Sequence, residues 1–157
     1  MKRLTVLMAA LAWIGIVLIL AAGCYPPATA VPPTAPSANG ITNIVWQWTS
    51  VTNQATRETT EVPIPQVYTI VFRDDGTLSG QADCNSFSGT YSQEGGFTIT
   101  LGPMTMAACG EESLDMVYVQ LLGEIVAGGP DGAGNLALET PGGEQRMLFQ
   151  NGGPAPE

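Results

Sequence analysis

The chain has 157 residues, of which 12% are charged, and a formal net charge of −9 at pH 7. It contains no histidine, and beyond Lys2 and Arg3 its cations are three arginines, against fourteen acidic residues. A chain this acidic is repelled by phosphate backbones and anionic headgroups, which argues against nucleic-acid binding. After an N-terminal segment and a linker, the length leaves room for one domain of about a hundred residues.

The first 24 residues have the pattern of an export signal. A basic pair, Lys2-Arg3, precedes an apolar run over residues 4–20, and Ala21-Ala22-Gly23 leads into Cys24. This resembles a bacterial lipoprotein signal peptide (residues 1–23) that ends before a lipidated cysteine, although alanine stands where leucine is usual, three places before it. An uncleaved transmembrane anchor and an ordinary cleaved signal remain alternatives. In all three cases the basic pair stays inside and the rest of the chain lies outside the cytoplasm.

Residues 24–40 are interpreted as the lipidated Cys24 followed by a tether. The segment is rich in proline, alanine, serine and threonine, as in Pro26-Pro27 and Pro32-Pro33. Such runs favour an extended polyproline II form at ~3.1 Å per residue, so the tether could hold the domain up to about 50 Å from a membrane.

From Ile44 onward the chain shows the alternation of short β-strands. The run 45–51 is aromatic and β-branched, and Trp46 and Trp48, two residues apart, share one face of it. Packing in the core is the favoured role of this pair, with stacking on a sugar ring or a lipid chain as the alternative. Residues 53–65 are polar and contain two prolines, which predicts a loop with an irregular edge.

Three turns separate the strands that follow. Asp74-Asp75-Gly76, Asp83-Cys84-Asn85 and Gly95-Gly96 contain residues that tolerate positive φ. The segments between them predict strands at residues 66–72, 78–82, 87–91 and 97–101. Gly102-Pro103 is expected to stop the last of these strands.

One segment has helical periodicity. Its apolar residues recur at spacings of three and four, which predicts an amphipathic helix with the stripe Leu114, Val117, Tyr118, Leu121, Leu122 and Ile125. Acidic residues at 111, 112 and 115 suit its first turn, where the helix dipole favours anions, and Gly128-Gly129-Pro130 is expected to end it. Strands at 136–138 and 146–149 then form a closing hairpin, and residues 151–157 are expected to be a flexible tail.

Together these elements predict an α+β fold, with a strongly bent, barrel-like antiparallel sheet of about seven strands closed by one amphipathic helix. Spaced motifs accompany the pattern. Residues 76–91 have the form G-x-L-S-G-x-A-x-C-N-x-F-x-G-x-Y, residues 105–109 have T-M-A-x-C, and W-x-W opens the domain. In this order they resemble the META domain family, which includes the heat-inducible HslJ-type envelope proteins.

The resemblance implies the same fold over residues 41–150 and a location in the cell envelope, with a stress-related role. The residues that carry it are Trp46, Trp48, Gly80, Cys84, Asn85, Gly89, Tyr91, Thr105 and Cys109.

Cys84 and Cys109 are the cysteines left over if Cys24 carries lipid. In an exported protein they most simply form a disulfide, which would close a loop of about 26 residues and stabilise the fold by roughly 3 to 4 kcal/mol. A metal site, for which no histidine is available, and a redox-active pair, which usually has C-x-x-C spacing, remain alternatives. Asn85 is expected to hydrogen-bond the backbone of its own corner.

The sequence lacks a histidine, a G-x-S-x-G elbow, a phosphate-binding loop and any lysine beyond Lys2. We therefore expect no enzyme, no cofactor and no metal, although a spatial pair of carboxylates acting as acid and base stays open. Several acids could gather around a hard cation, but no calcium-loop spacing is present, and roles in a turn and a helix N-terminus are favoured. These acids are Asp74, Asp75, Asp83, Glu111 and Glu112.

Two functions from different classes follow. The first is a non-catalytic envelope lipoprotein that contacts an unknown envelope protein. The alternative is a pilot-protein-like carrier of a lipid or other hydrophobic ligand, in which Trp46, Trp48 and Met106, with Met104 and Met116, could line the mouth of the barrel. An empty apolar cavity would favour the carrier, and a filled interior would favour the interaction module.

Overall fold

Nine β-strands and one α-helix make up the part of the chain that the computed structural model describes, residues 40–156. The helix is α1 (Asp115–Gly123), and short 3₁₀ turns span Pro65–Val67 and Pro141–Gly143. The strands are β1 (Ile44–Asn53), β2 (Thr59–Glu61), β3 (Tyr68–Phe72), β4 (Thr77–Ala82), β5 (Asn85–Ser92), β6 (Thr98–Met104), β7 (Ala127–Pro130), β8 (Leu136–Glu139) and β9 (Gln145–Pro154).

The predicted signal peptide, Cys24 and all of the tether except Gly40 lie outside the described residues. Between residues 40 and 156, no helix has the length and apolar character needed to cross a bilayer.

All the strands join one antiparallel sheet in the order β6-β5-β4-β3-β1-β9-β8-β7, and β2 pairs with the C-terminal part of β1. The sheet is so strongly curled that its two edge strands, β6 and β7, approach each other. The Phe97 N–H, just before β6, donates to the Val126 carbonyl, just before β7, at 3.1 Å. The predicted fold of a bent antiparallel sheet with one helix is therefore confirmed. The described sheet has nine strands rather than about seven, since two short edge strands were not anticipated.

The interior of the curl is filled by aromatic side chains. Trp48, Tyr118 and Phe149 are fully buried, and the rings of Trp48 and Tyr118 stack with centroids 5.0 Å apart. Tyr68 packs edge-on against both rings, and Phe87 packs against Tyr118. Each fully buried apolar side chain of this size contributes roughly 1.5 to 3 kcal/mol of transfer free energy, so burial of this cluster is a large favourable contribution to folding.

Helix α1 covers this cluster with a narrower face than the sequence predicts. Tyr118 and Leu122 are buried, but Val117 is exposed, so the six-residue apolar stripe is only partly correct. The helix also ends at Gly123 rather than at residues 128–130. Those residues belong to β7, which pairs with β8 and extends the sheet. Residues 126–130 instead bond to β8, beginning with the Val126 N–H, which donates to the Glu139 carbonyl at 3.0 Å.

Two further expectations from the sequence, one about a loop and one about the end of a strand, are wrong because strand pairing extends further than predicted. The predicted loop over residues 53–65 contains β2, whose three residues pair with Ser50–Thr52 of β1. Gly102-Pro103 does not stop β6, because the strand passes through it with one extra residue relative to β5. β6 is an edge strand, where a proline leaves no ladder hydrogen bond unmade.

The C-terminal residues are ordered further than expected. β9 continues to Pro154, which lies opposite Ile44 of β1, and the Ala155 N–H donates to the Asn43 carbonyl at 2.9 Å. Residues 151–154, which the sequence analysis placed in the tail, thus belong to a paired strand. Within the described residues, the buried core cluster runs from Ile41 to Phe149.

Candidate functional site

The most distinctive local structure is the corner between β4 and β5. Asp83 and Cys84 form a two-residue turn between the paired residues Ala82 and Asn85, and Asp83 has φ +56°. Asp tolerates this left-handed backbone better than most residues, which is the turn chemistry that the sequence indicates. The turn presents Cys84 to the loop that follows β6, and Cys84 and Cys109 form the predicted disulfide.

Asn85 holds the same loop from the inside of the corner. Its side chain is 1% exposed, and its amide nitrogen donates to the Ala107 carbonyl at 3.0 Å and to Oδ2 of Asp115 at 3.1 Å. Its Oδ1 accepts the Ala107 N–H at 2.7 Å and the Thr105 hydroxyl at 3.2 Å. The expectation that Asn85 bonds its own corner is wrong. Because strand alternation points its side chain inward from β5, the loop and the start of α1 are its partners.

The corner therefore has both a covalent and a polar restraint. Residues 105–113 have no regular secondary structure apart from a short turn, yet the disulfide fixes Cys109 and the Asn85 amide fixes Ala107 and Asp115. Such double anchoring gives an irregular loop one preferred conformation.

Two open grooves flank this loop. The isoleucine groove, of about 390 Å³, is lined by Pro63, Ile64, Val67, Tyr68, Asp83 and Cys109–Ser113. The methionine groove, of about 510 Å³, is lined by Asn85, Met106–Glu111, Asp115 and Met116. Residues 109–111 line both, so they form a ridge between the grooves. We call the two grooves and this ridge the bridge-side surface.

Large apolar side chains are exposed on the bridge-side surface. Met106 is 77% exposed and Met116 61% exposed at the methionine groove, and Ile64 is 56% exposed at the isoleucine groove. Clustered exposed apolar side chains with a polar rim are typical of interaction sites, whereas isolated ones need no explanation.

The rim of this surface is acidic. Asp83, Glu111 and Glu112 line the isoleucine groove, and Glu111 and Asp115 line the methionine groove. None of the three arginines of the described segment lines either groove, and Arg146 instead pairs with Glu139 at 3.0 Å.

The remaining acids of the suggested cation site have other partners. Asp74 accepts a hydrogen bond from the Asn43 amide, and Asp75 accepts bonds from the Thr77 hydroxyl and N–H. The hydroxyl bond from Thr77 is the main reason that the pKa of Asp75 lies below its ordinary value. In residues 40–156 no three His, Cys, Asp or Glu side chains are grouped so that they could hold a metal ion. Asp74 and Asp75 lie at the β3–β4 turn, as the sequence favours, whereas Glu111 and Glu112 lie in a turn before α1 rather than in its first turn.

The candidate ligand-lining residues separate in space. Met106 lines the methionine groove, but Trp46 and Trp48 are buried in the core, where their indole N–H groups donate to the Ile41 and Ser50 carbonyls, both at 2.8 Å. The stacking role proposed as an alternative for the tryptophan pair is therefore wrong, and its core role is confirmed.

Comparison with known families decides the relationship. The META domain family profile matches residues 39–152. The chain belongs to the META domain family. Its matched range coincides with the curled sheet and the helix, which confirms the resemblance seen in the sequence motifs.

Solved structures share this META fold. A solution NMR structure of a protein from Burkholderia xenovorans aligns over 81% of this chain and 96% of its own, with a TM-score of 0.58 and 23% sequence identity. A crystal structure of a duf4847 family protein from Bacteroides vulgatus aligns over 70% of this chain and 93% of its own, with a TM-score of 0.53 and 16% identity. At these identities the likeness concerns the fold alone. No curated protein gives a significant match.

The META motif glycines can be explained by close packing. A Cβ on Gly80 would clash with the Phe87 ring across the strand pair and with the Thr69 carbonyl. A Cβ on Gly89 would clash with the Thr100 carbonyl of β6. These positions need glycine because neighbouring groups occupy the space of a side chain.

The polar META motif residues also have structural partners. The Tyr91 hydroxyl donates to the Arg73 carbonyl at 2.9 Å, closing the β3–β4 turn. Thr105 accepts the Ser86 N–H at 2.9 Å, which ties the loop to β5. Within the described chain, the motif residues therefore serve the close packing of strands, the β3–β4 turn and the corner between β4 and β5.

Several features of the site were not anticipated. Ile64 lay in a segment interpreted as a loop, and Asp115 was assigned to the helix dipole rather than to Asn85. Tyr118 was placed in the apolar stripe, but its buried hydroxyl has no hydrogen-bond partner among the described residues. Full burial raises the pKa of Tyr118 well above its ordinary value, so it stays neutral. Helical periodicity cannot reveal that a buried hydroxyl lacks a hydrogen-bond partner, because the presence of a partner depends on the neighbouring side chains in the fold.

Proposed function

We propose that this chain is a non-catalytic, extracytoplasmic lipoprotein whose META domain binds another component of the cell envelope, in a role connected with stress. Binding takes place on the bridge-side surface. The observation that carries the proposal is the pair Met106 and Met116, strongly exposed on either side of a groove whose loop is fixed by the disulfide and by Asn85.

The fixed loop supports this assignment. A mobile loop that orders on binding loses conformational entropy at that moment, which weakens the complex. Here the anchors at Cys109 and Ala107 order the loop in advance, so its exposed side chains are already in place.

A non-catalytic role is supported by the use of the motif residues. Asn85, Thr105 and Tyr91 direct their polar atoms at the protein's own backbone and side chains. The acidic side chains of the rim lie beside apolar ones and beside no histidine, since the chain has none. General acid–base chemistry usually depends on a titratable group held near the reacting atoms with a shifted pKa.

The interior favours a binding module over a carrier. Trp48, Tyr68, Phe87 and Tyr118 contact one another where a carrier would hold its ligand. The two bridge-side grooves open to the surface, and an apolar chain lying in them would stay largely in water.

Attachment through Cys24 follows from the sequence pattern. A strongly acidic domain gains nothing from an anionic membrane surface, so a lipid anchor and a tether suit it better than peripheral adsorption. Metabolic labelling with palmitate should mark the natural chain and leave a Cys24→Ser variant unlabelled. Equal labelling of both would contradict the lipoprotein assignment.

Site-specific photocrosslinking in the native envelope tests the binding surface. We would place benzoylphenylalanine at position 106 or 116, and at the exposed positions 94 and 126, outside both grooves, as matched controls. The proposal predicts discrete crosslinked species from 106 and 116 that the controls do not give. Equal yields at all four positions, or none at 106 and 116, would refute it.

A further inference from the structure

We infer that the partner of the bridge-side surface is a protein segment that carries lysine or arginine next to large apolar side chains. This inference rests on the proposed function, because it names the chemistry of what binds at the same surface.

The methionine groove offers the partner apolar contacts. Met106 and Met116 both line it and both are strongly exposed, so an apolar side chain entering the groove would remove two thioether chains from water. Methionine has three rotatable bonds and a polarisable sulfur, which lets it fit around side chains of differing shape. Ile64 offers a second apolar contact on the other side of the ridge.

The rim of the bridge-side surface offers the partner negative charge. Glu111 lines both grooves and Glu112 lines the isoleucine groove, and neither carboxylate makes a hydrogen bond or an ion pair within residues 40–156. Asp115 differs, since its two oxygens already accept the Asn85 amide and the Met116 N–H. The unpaired rim carboxylates are therefore available to a cation brought by the partner.

A protein segment fits this surface better than other cationic or apolar partners. Anionic lipids and nucleic acids are repelled by a rim that has carboxylates and no arginine. A bare metal ion would need converging ligands, and the described residues offer no such group. A segment with alternating basic and apolar side chains can fill the grooves and pair with Glu111 and Glu112 together.

Exposed rim charges mainly govern the rate of association and its sensitivity to salt, whereas buried apolar contacts govern how slowly the complex dissociates. The inference therefore predicts two separable signatures. Removing the methionine side chains should speed dissociation, and reversing the rim charges should slow association at low salt.

The test uses residues 40–157 with the disulfide formed. This segment contains the bridge, the buried core of the described residues and all but the first residue of the range that the META profile matches. The probe is a synthetic peptide of alternating lysine and leucine. Peptides of the same length that alternate glutamate with leucine, or lysine with serine, are the comparisons. Amide chemical shifts of the ¹⁵N-labelled domain report where each peptide binds.

We expect the lysine-leucine peptide to shift amides of residues 83–85 and 106–116, and the two comparison peptides to bind at least ~10-fold more weakly. A Glu111→Lys/Glu112→Lys variant should weaken binding by about 10-fold at low salt, because two favourable charge contacts become repulsive. The matched variant Glu94→Lys/Glu144→Lys has the same net charge, with changes outside both grooves, and should weaken it less than about 2-fold.

Other results overturn the inference. If the lysine-serine peptide binds as tightly as the lysine-leucine peptide, the partner needs no apolar side chains. If the glutamate-leucine peptide does so, the partner needs no positive charge. Equal loss in the two double variants, or no shifts at the corner with any peptide, would reject the site. If crosslinks form at position 106 and yet do not depend on Glu111 and Glu112, the proposed function stands and this inference alone fails.

Discussion

The centre of the domain and its disulfide corner are stabilised in different ways. Around Trp48 and Tyr118, aromatic rings contact one another. The Trp48 indole N–H donates to the nearby Ser50 carbonyl, and no covalent cross-link joins the described residues of this cluster. At the corner, Asn85 and the disulfide fix an irregular loop whose apolar side chains, such as Met106, stay outside. Burial of apolar surface thus determines the fold at the centre, whereas specific bonds shape a surface at the corner.

This difference indicates where function resides in the small META domain. A region that buries its apolar side chains has none left for a partner. A region held by a covalent bond and one buried amide can keep apolar side chains exposed without losing its shape. The sharpest ways to test the contrast are substitutions that act on one region and leave the other intact.

The largest expected effect is at the centre. Trp48→Ala removes a fully buried indole that contacts Tyr68 and Tyr118, and should lower the free energy of unfolding by about 3 to 5 kcal/mol. Urea denaturation of the domain measures this loss. Met106→Ala is the matched control, because its side chain is exposed, and it should change stability by less than about 0.5 kcal/mol. Similar losses in both variants would remove the distinction between the two regions.

Breaking the covalent restraint should have the next largest effect. The disulfide joins residues 25 apart, and a Cys84→Ser/Cys109→Ser variant should lose roughly 3 kcal/mol, mainly because its unfolded chain is less constrained. Denaturant titration measures the loss, and thiol titration of the unfolded, unreduced natural domain should find no free thiol. Two free thiols per chain would contradict the bridge itself.

Removing the polar restraint should cost less. Asn85→Ala deletes the partner of the Ala107 N–H and carbonyl and of Asp115, and should lower stability by about 1 to 3 kcal/mol. It should also raise hydrogen exchange at residues 105–113 more than in the core. Faster hydrogen exchange confined to the core amides would mean that Asn85 does not hold the loop.

The smallest effect should have the opposite sign. Tyr118→Phe removes a buried hydroxyl that has no partner in the described segment, so stability at neutral pH should stay the same or rise by about 1 kcal/mol. A clear loss would show that the hydroxyl is bonded after all.

The same variant has a signature in alkali. Because the pKa of Tyr118 is raised in the folded domain, above about pH 10 the unfolded chain releases this proton first and stability falls as pH rises. Tyr118→Phe should show a shallower fall. The fall should not vanish, since burial and the nearby Asp74 and Asp75 also raise the pKa of Tyr91, which remains.

Features specified by local chemistry could be predicted from the sequence. The tryptophan pair, the glycine turns and the Cys84–Cys109 bridge follow from alternation, turn residues and cysteine count. Features that depend on long-range competition could not. Residues 127–130 carry the glycines and proline of a helix stop, yet they form β7, because β8 offers them a partner. The partners of Asn85 likewise come from distant residues, Ala107 of the loop and Asp115 at the start of α1, which are 22 and 30 positions away.

Native mass spectrometry of residues 40–157, exported and purified without detergent, shows whether the interior of the curl is filled by its own side chains. If it is filled and binding takes place on the outer, bridge-side surface, we expect a bare chain lighter than its reduced mass by two hydrogen atoms. An added mass in the lipid range that leaves only on denaturation would contradict it, because such a ligand would have to occupy space that the aromatic core fills.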